Sequence, residues 1–166
     1  GVAALEVNIS CPNLEAGGLE IGANPEHVAA VIHGVVRRFR GPVIAKLTPN
    51  VTRISDIALA AEEAGATAIS AINTFVGMAI DVRQRRTVTG TATAGLSGPA
   101  IKPLALRMVW ETARAVRVPV IGMGGISNAQ DALEFILAGA TAVAIGTANF
   151  ARPTAMHDTI AGLSRF

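Results

Sequence analysis

The chain has 166 residues, of which 51% are hydrophobic and 16% charged, with a formal net charge of +2 and a single cysteine. This length fits one domain, residues 1–166, and the apolar composition favours a sheet buried on both faces. Scattered basic residues and few aromatic side chains exclude a nucleic-acid surface, and one cysteine excludes an internal disulfide framework. With no signal peptide and no apolar run near the ~20 residues of a membrane span, we expect a soluble, cytoplasmic protein that does not bind a membrane.

The first predicted element is a strand over residues 2–7, which leads into a polar turn. The residues of this turn are, in chain order, Asn8, Ile9, Ser10, Cys11, Pro12 and Asn13. Pro12 ends the strand, so Cys11 is expected at its carboxyl end, where α/β folds place their chemistry. Two interpretations of Cys11 stay open from the turn alone: a small buried hydrophobe, or a thiol that moves a proton.

Strand-like and helix-like segments alternate along the rest of the chain. The further predicted strands cover residues 42–47, 67–72, 118–122 and 141–145. Asn24, Thr52 and Asn128 are expected to cap helices at their amino ends. Gly65 and Gly139 are expected to end two of these helices as C′ glycines, at equivalent helix-to-strand joints.

The remaining segments are assigned as follows. Residues 14–23 are glycine-rich and predict a mobile loop, and alternation within residues 75–99 predicts a small hairpin. A helix is predicted through residues 104–112, and residues 153–166 are predicted to be helical. The helix after Asn128 is expected to present one apolar face, formed by Ala129, Leu133, Ile136 and Leu137.

This order of elements predicts an α/β fold with a parallel sheet and helices outside it. The sheet is either an open doubly wound sheet or part of a TIM (β/α)8 barrel. Polar residues or glycines follow every predicted strand, which favours the barrel because all these strand ends then converge on one face. We therefore expect an incomplete barrel: about five C-terminal βα units of a parallel barrel, with roughly three N-terminal units outside this chain.

Several groups at the predicted strand ends could bind a ligand. Gly124, Gly125, Gly146 and Thr147 follow the last two strands, where this fold commonly binds phosphate; the alternative is that the glycines only serve packing and turns. Lys46 ends an apolar strand and is expected to face an anionic ligand in the barrel mouth, the alternative being a lysine extended to solvent.

Asn73 and Thr74 end the neighbouring strand and can hydrogen-bond the same ligand, and the segment around Gly98 exposes backbone donors. The sequence has no Ser-His-Asp arrangement, metal-ligand spacing or dinucleotide-binding glycine motif, so no metal site is expected. Residue chemistry therefore indicates a phosphate-bearing ligand and thiol acid–base chemistry, without identifying the reaction.

The motifs resemble those of a known family, dihydroorotate dehydrogenase, and within it those of the NAD-linked class 1B catalytic subunit. The motifs that carry the resemblance cover residues 8–13, 46–52, 73–74, 77–81, 95–103, 122–126 and 146–150. They span essentially the whole chain in order. The resemblance implies an FMN-dependent TIM barrel, in agreement with the architecture predicted above.

The resemblance also implies roles for residues. Cys11 resembles the base that removes the C5 proton of dihydroorotate while a hydride leaves C6 for FMN, which yields orotate for pyrimidine (UMP) biosynthesis. Asn8 resembles a residue that contacts both FMN and substrate, and Asn13, Asn73 and Thr74 resemble substrate contacts. Lys46 resembles the lysine beside the flavin pyrimidine edge. The other residues that resemble FMN contacts are Ile72, Gly98, Gly124, Gly125, Gly146 and Thr147.

As partners, the resemblance implies an electron-transfer subunit with FAD and an iron–sulfur cluster, around a homodimeric core in a heterotetramer. Two departures stand out: the family's N-terminal barrel half is absent from this chain, and Ala94 replaces a common glycine. Two alternatives stay open. One is a dihydropyrimidine dehydrogenase-type subunit, against which Asn13 argues because that family usually has His after Cys-Pro. The other is a non-catalytic half-barrel that binds a phosphate ligand.

Overall fold

Within residues 1–10 and 18–166, which the computed structural model describes, a parallel sheet alternates with helices. The strands are β1 Leu5–Asn8, β2 Val43–Lys46, β3 Ala68–Ala71, β4 Phe75–Gly77, β5 Ile80–Asp81, β6 Arg86–Thr87, β7 Ala94–Leu96, β8 Val120–Met123 and β9 Ala142–Ala144. The helices are α1 Gly18–Ala23, α2 Pro25–Val36, α3 Ile54–Glu63, α4 Lys102–Ala115, α5 Ala129–Leu137, α6 Ala148–Ala151 and α7 Ala155–Leu163. A 3-10 turn, Pro99–Ile101, precedes α4.

The central sheet has the strand order β1-β2-β3-β8-β9, and every pairing in it is parallel. Among these five strands, each therefore lies beside the one that precedes it in the sequence. A barrel uses this sequential order, whereas a doubly wound sheet reverses its order at a switch point. The order of the described strands thus favours the barrel over the open sheet.

Two short antiparallel pairs lie between β3 and β8 in the sequence. Strand β4 pairs with β7, and β5 pairs with β6 through Ile80 opposite Thr87. The hairpin predicted within residues 75–99 is confirmed, and it is nested inside a wider pair that the alternation did not indicate. This excursion rises from the carboxyl end of β3, next to the residues predicted to bind a ligand.

The two faces of the sheet have different surroundings. Side chains alternate between faces along a strand, and Ala45, Ile69 and Val120 on the outer face are at most 2% exposed and belong to the hydrophobic core. Lys46 is the neighbour of Ala45, so it lies on the inner face, in register with Ser70 of β3. Burial of the outer face against helices therefore directs the strand-end lysine towards the inside of the sheet.

The two helix-to-strand joints predicted to be equivalent have the same hydrogen bonds. Gly65 and Gly139 adopt positive φ angles of 100° and 109°, which favours glycine at both positions. After α3, the Ala66 N–H donates to Ala61 O at 3.0 Å; after α5, the Ala140 N–H donates to Phe135 O at 3.0 Å. Both joints are Schellman motifs, and the prediction of C′ glycines is confirmed.

Asn24 and Asn128 cap α2 and α5 as predicted, since their side chains accept backbone N–H bonds. The prediction for Thr52 is wrong: Arg53 is the N-cap of α3, and no side-chain cap bond forms there. The prediction of a loop over residues 14–23 is wrong for Gly18–Ala23, which form α1. The rest of that segment lies outside the described residues.

The predicted face of α5 is also wrong. The helix buries Asp131, Ala132 and Phe135, whereas Leu137 is 79% exposed. Phe135 packs where Gly122 of β8 leaves room, since a Cβ on that glycine would lie 2.8 Å from the ring. A bulky aromatic facing a glycine in the sheet sets the rotation of the helix, and periodicity of aliphatic residues alone does not encode this.

No helix in the described part of the chain is long and apolar enough to cross a membrane. The helical segment predicted near the C-terminus is confirmed as α7, and the short helix α6 before it was not predicted.

We expect Phe135→Ala to lower the free energy of unfolding by about 3–5 kcal/mol, because the fully buried ring leaves a cavity. Phe150→Ala is the matched control, since Phe150 is 92% exposed in this chain, and we expect it to change stability by less than about 0.5 kcal/mol. Urea unfolding followed by circular dichroism measures both. Equal losses for the two variants would contradict the described packing of α5.

Candidate functional site

A cleft of about 210 Å³ opens at the carboxyl ends of β2, β3, β8 and β9. The predicted site residues that line it are Lys46, Ile72, Asn73, Thr74, Gly98, Gly124, Gly125, Gly146 and Thr147. Asn8 is joined to the cleft through hydrogen bonds described below, while Cys11 and Asn13 lie outside the described residues. Nine of the predicted positions thus meet in one cleft, although they come from segments far apart in sequence.

One end of the cleft is built from backbone that has room only for glycine. Gly124 and Gly125 adopt φ angles of 131° and 79°, which disfavour any residue with a Cβ. A Cβ on Gly125 would lie 2.8 Å from Lys102 N and 2.9 Å from Gly98 O. The loop after β8 therefore packs directly on the start of α4, and exposed backbone at such a junction suits an anionic group.

A hydrogen bond joins two other loops at this end of the cleft. The Thr147 hydroxyl, after β9, lies 2.9 Å from the Ser97 hydroxyl, after β7. Gly98 follows with a φ of 89° and accepts a bond from the Ile101 N–H at 3.1 Å, which starts the 3-10 turn. Ser97 was not predicted as a site residue, although it lies within the motif over residues 95–99.

An ion-pair cluster behind the glycine loop holds α4 against α5. Lys102 Nζ lies 2.7 Å from Asp131 Oδ1 and 3.0 Å from Glu134 Oε2. Asp131 Oδ2 accepts the Ser127 N–H at 2.9 Å, which ties the loop after Gly125 to the same cluster. The hydrogen bond to Asp131, followed by that to Glu134, raises the pKa of Lys102 above the ordinary 10.5, so the ammonium stays charged at neutral pH.

The other end of the cleft carries a positive charge. Lys46 lines the cleft, and the described lining residues include no carboxylate. Lys46 also forms no ion pair with a carboxylate in the described part of the chain. A partly buried ammonium that has no carboxylate partner among the described residues favours a ligand that carries or develops negative charge.

At the strand ends, three carboxamides and a threonine are held by a set of hydrogen bonds. Asn73 Nδ2 lies 2.9 Å from Ser10 O and 3.0 Å from Ser10 Oγ, and Ser10 Oγ lies 2.6 Å from Asn8 Oδ1. Asn50 accepts the Val76 N–H at 2.9 Å and donates to Thr74 O at 3.2 Å, which anchors the backbone of Thr74. Ser10 and Asn50 were not predicted as site residues, although both fall within quoted motifs.

The cleft can therefore bind an elongated polar ligand. Glycine backbone and hydroxyl groups suit a phosphate at one end, and a lysine with oriented carboxamides suits a planar heterocycle at the other. The fold and this cleft define an α/β-barrel protein with an anion-adapted site at the carboxyl ends of its strands.

A sequence profile of the family described as "Dihydroorotate dehydrogenase" matches residues 1–166. The chain is 57% identical over 166 residues to the "Dihydroorotate dehydrogenase B (NAD(+)), catalytic subunit" of Desulforamulus reducens, covering 100% of this chain and 55% of that protein. It is 57% identical over 165 residues to the protein of the same name from Trichlorobacter lovleyi, covering 99% of this chain and 54% of that protein. The chain belongs to the dihydroorotate dehydrogenase family.

A solved structure supports the fold assignment. The crystal structure of DHODH from Eimeria tenella in complex with ferulenol superposes with a TM-score of 0.82 at 23% identity, over 97% of this chain and 49% of that one. The predicted fold, part of a parallel TIM barrel, is confirmed, and so is the predicted family. The chain spans about half the length of the curated relatives it matches. The alternatives of a dihydropyrimidine dehydrogenase-type subunit and a non-catalytic half-barrel are not favoured.

We expect Lys102→Met to lower the free energy of unfolding by about 1–2 kcal/mol at neutral pH, because two carboxylates lose a partly buried partner. Arg53→Met is the control, since the Arg53–Asp56 pair is largely exposed and contributes less than about 0.5 kcal/mol. Urea unfolding measures both variants.

The pH dependence of this difference follows from the raised pKa of Lys102. A group whose pKa is raised by folding stabilises fully below its unfolded value, here 10.5, and loses that contribution as pH rises through the folded value. The difference in the free energy of unfolding between Lys102→Met and the unmodified protein should therefore be constant near neutral pH and disappear in strong alkali. A difference in the free energy of unfolding that grows in alkali would contradict the ion pair.

Proposed function

We propose that this chain is the catalytic portion of a dihydroorotate dehydrogenase, which oxidises dihydroorotate to orotate with FMN in pyrimidine biosynthesis. The observation that carries the proposal is the convergence of nine predicted site residues on one cleft in a chain that belongs to this family. The relatives named above bear the name of the NAD-linked enzyme, which supports the same class for this protein.

The residues of the cleft fit FMN. Gly124, Gly125, Gly146 and Thr147 would hold its phosphate, because glycines there leave backbone N–H groups accessible and the described lining residues include no carboxylate to repel an anion. Ile72 and Gly98 would contact the rest of the cofactor, and Lys46 and Asn8 its flavin ring. When bound, the flavin supplies the acceptor for the hydride that leaves C6 of the substrate.

The chain's own residues carry the other half of the reaction. Cys11, as its thiolate, takes the C5 proton, so that the C5–H and C6–H bonds both break and a C5–C6 double bond forms. Asn13, Asn73 and Thr74 orient the substrate ring by hydrogen bonds. Lys46 would lie at the flavin pyrimidine edge and supply a positive charge that stabilises negative charge there.

The partner is inferred from the names of the relatives, which are catalytic subunits. We propose a second subunit with FAD and an iron–sulfur cluster that passes electrons to NAD, around a homodimer of the catalytic chain. A single cysteine in this chain leaves such a cluster to the partner, because clusters need several thiolates. We propose a cytoplasmic location on the same low cysteine content.

We expect Gly125→Ala to weaken FMN binding by about tenfold or more, since a Cβ at positive φ would press on Lys102 N and Gly98 O. Gly90→Ala is the control, because that glycine has open space around it and lies away from the cleft. Flavin absorbance of the purified full-length protein, with circular dichroism to verify folding, measures the effect. Full FMN content in folded Gly125→Ala would contradict the phosphate site.

We expect Cys11→Ala in the full-length protein to bind FMN normally and to slow flavin reduction by dihydroorotate by about 10²–10⁴-fold, because a positioned base is lost. Anaerobic stopped-flow absorbance measures this single turnover. Flavin content per chain is the internal control. An unchanged rate of reduction would remove Cys11 from the mechanism.

A further inference from the structure

Three polar side chains at and beside the cleft form one continuous chain of hydrogen bonds. Ser10, which is fully buried, lies between Asn8 at the end of β1 and Asn73 after β3. Asn8 is exposed and Asn73 lines the cleft, so a ligand can reach both carboxamides. Each carboxamide also bonds a backbone atom of Ser10, and these backbone atoms determine which way each amide faces.

The orientation of Asn8 follows from a group that can only donate. Ser10 N lies 3.2 Å from Asn8 Oδ1, and a backbone N–H cannot accept a hydrogen bond, so the Asn8 oxygen faces it. The same oxygen accepts the Ser10 hydroxyl at 2.6 Å. Both bonds occupy Oδ1, and among the described residues no partner takes the Asn8 Nδ2 hydrogens, which therefore suit a ligand.

The orientation of Asn73 follows from a group that can only accept. Asn73 Nδ2 lies 2.9 Å from the carbonyl oxygen of Ser10, so the NH2 group faces it. The hydroxyl of Ser10 has one hydrogen, which goes to Asn8, and it therefore accepts the second N–H of Asn73 at 3.0 Å. Both hydrogens of Asn73 are used, and within the described part of the chain its Oδ1 has no donor, which leaves that oxygen for a ligand.

We propose that Ser10 is a positioning residue that makes Asn8 a hydrogen-bond donor and Asn73 a hydrogen-bond acceptor towards the ligand. Flipping either amide would place like groups together around a buried serine, which is costly. The cleft thereby selects a ring that offers a carbonyl oxygen to Asn8 and an N–H to Asn73, as a cyclic ureide or imide does. This rests on the proposed function, since the dihydroorotate ring alternates N–H and C=O groups.

The test uses the full-length, FMN-loaded protein and two readouts, orotate binding by perturbation of flavin absorbance and steady-state kinetics with dihydroorotate. We expect Ser10→Ala to raise the orotate Kd and the dihydroorotate KM by about tenfold, with a smaller change in kcat, because two hydrogen bonds that orient the amides are lost. FMN content is measured in each variant, so that orotate binding is compared at equal flavin loading. Ser10→Thr keeps the hydroxyl and should restore binding, and Ser164→Ala, a surface serine of the last helix, is the matched control.

Ligand analogues test the polarity directly. In the unmodified protein, at least one of N1-methyl and N3-methyl orotate should bind about tenfold more weakly than orotate, because the methyl removes the N–H that Asn73 accepts. In Ser10→Ala this discrimination should weaken, because Asn73 then keeps its bond to Ser10 O but loses the hydroxyl that holds its other N–H. The comparison in the unmodified protein needs no variant, so it stands even if Ser10→Ala does not fold.

The outcomes separate this inference from the proposed function. Two results would overturn the role of Ser10 while dihydroorotate still reduces the flavin normally. One is an unchanged orotate Kd in Ser10→Ala, and the other is equal binding of orotate and both methyl analogues. If the unmodified protein neither binds orotate nor is reduced by dihydroorotate, the proposed function and this inference both fall.

Discussion

The direction of the strands is the constraint on which the rest of this structure depends. Because β1, β2, β3, β8 and β9 run parallel and in sequential order, their carboxyl ends meet at one edge. Register then sets which side chains are level: Asn8 pairs with Lys46, and Lys46 pairs with Ser70. Strand direction and register alone therefore bring together residues that are far apart in sequence, and the cleft forms where the strands end.

The two ends of this cleft are held in different ways. At the glycine end, close backbone packing and the Lys102–Asp131 ion pair join the loop after β8 to α4 and α5. At the carboxamide end, hydrogen bonds through Ser10 and Asn50 hold Asn73 and Thr74. Rigid loops at one end and oriented amides at the other mean that a ligand meets groups already in place, which lowers the ordering cost of binding.

Local chemistry explains what could be predicted from the sequence. Strand ends, the C′ glycines and two Asn caps are encoded within a few residues, and the motif glycines that follow the strands line the cleft as expected. The rotation of α5, the partners of Lys102 and the serine between Asn8 and Asn73 depend on contacts between distant segments. Asn73 and Ser10, for instance, are 63 positions apart. The periodicity of a sequence cannot encode such pairs. The roles of Cys11 and Asn13 stay predictions, because both residues lie outside the described part of the chain.

We propose that this cleft oxidises dihydroorotate on a bound flavin, and anaerobic reduction of the flavin is the experiment that decides it. The full-length protein, purified with FMN, is mixed with dihydroorotate or with dihydrouracil, and the visible flavin absorbance is followed. We expect rapid bleaching by dihydroorotate and little by dihydrouracil. Bleaching by dihydrouracil alone, or no bleaching by either compound, would contradict it.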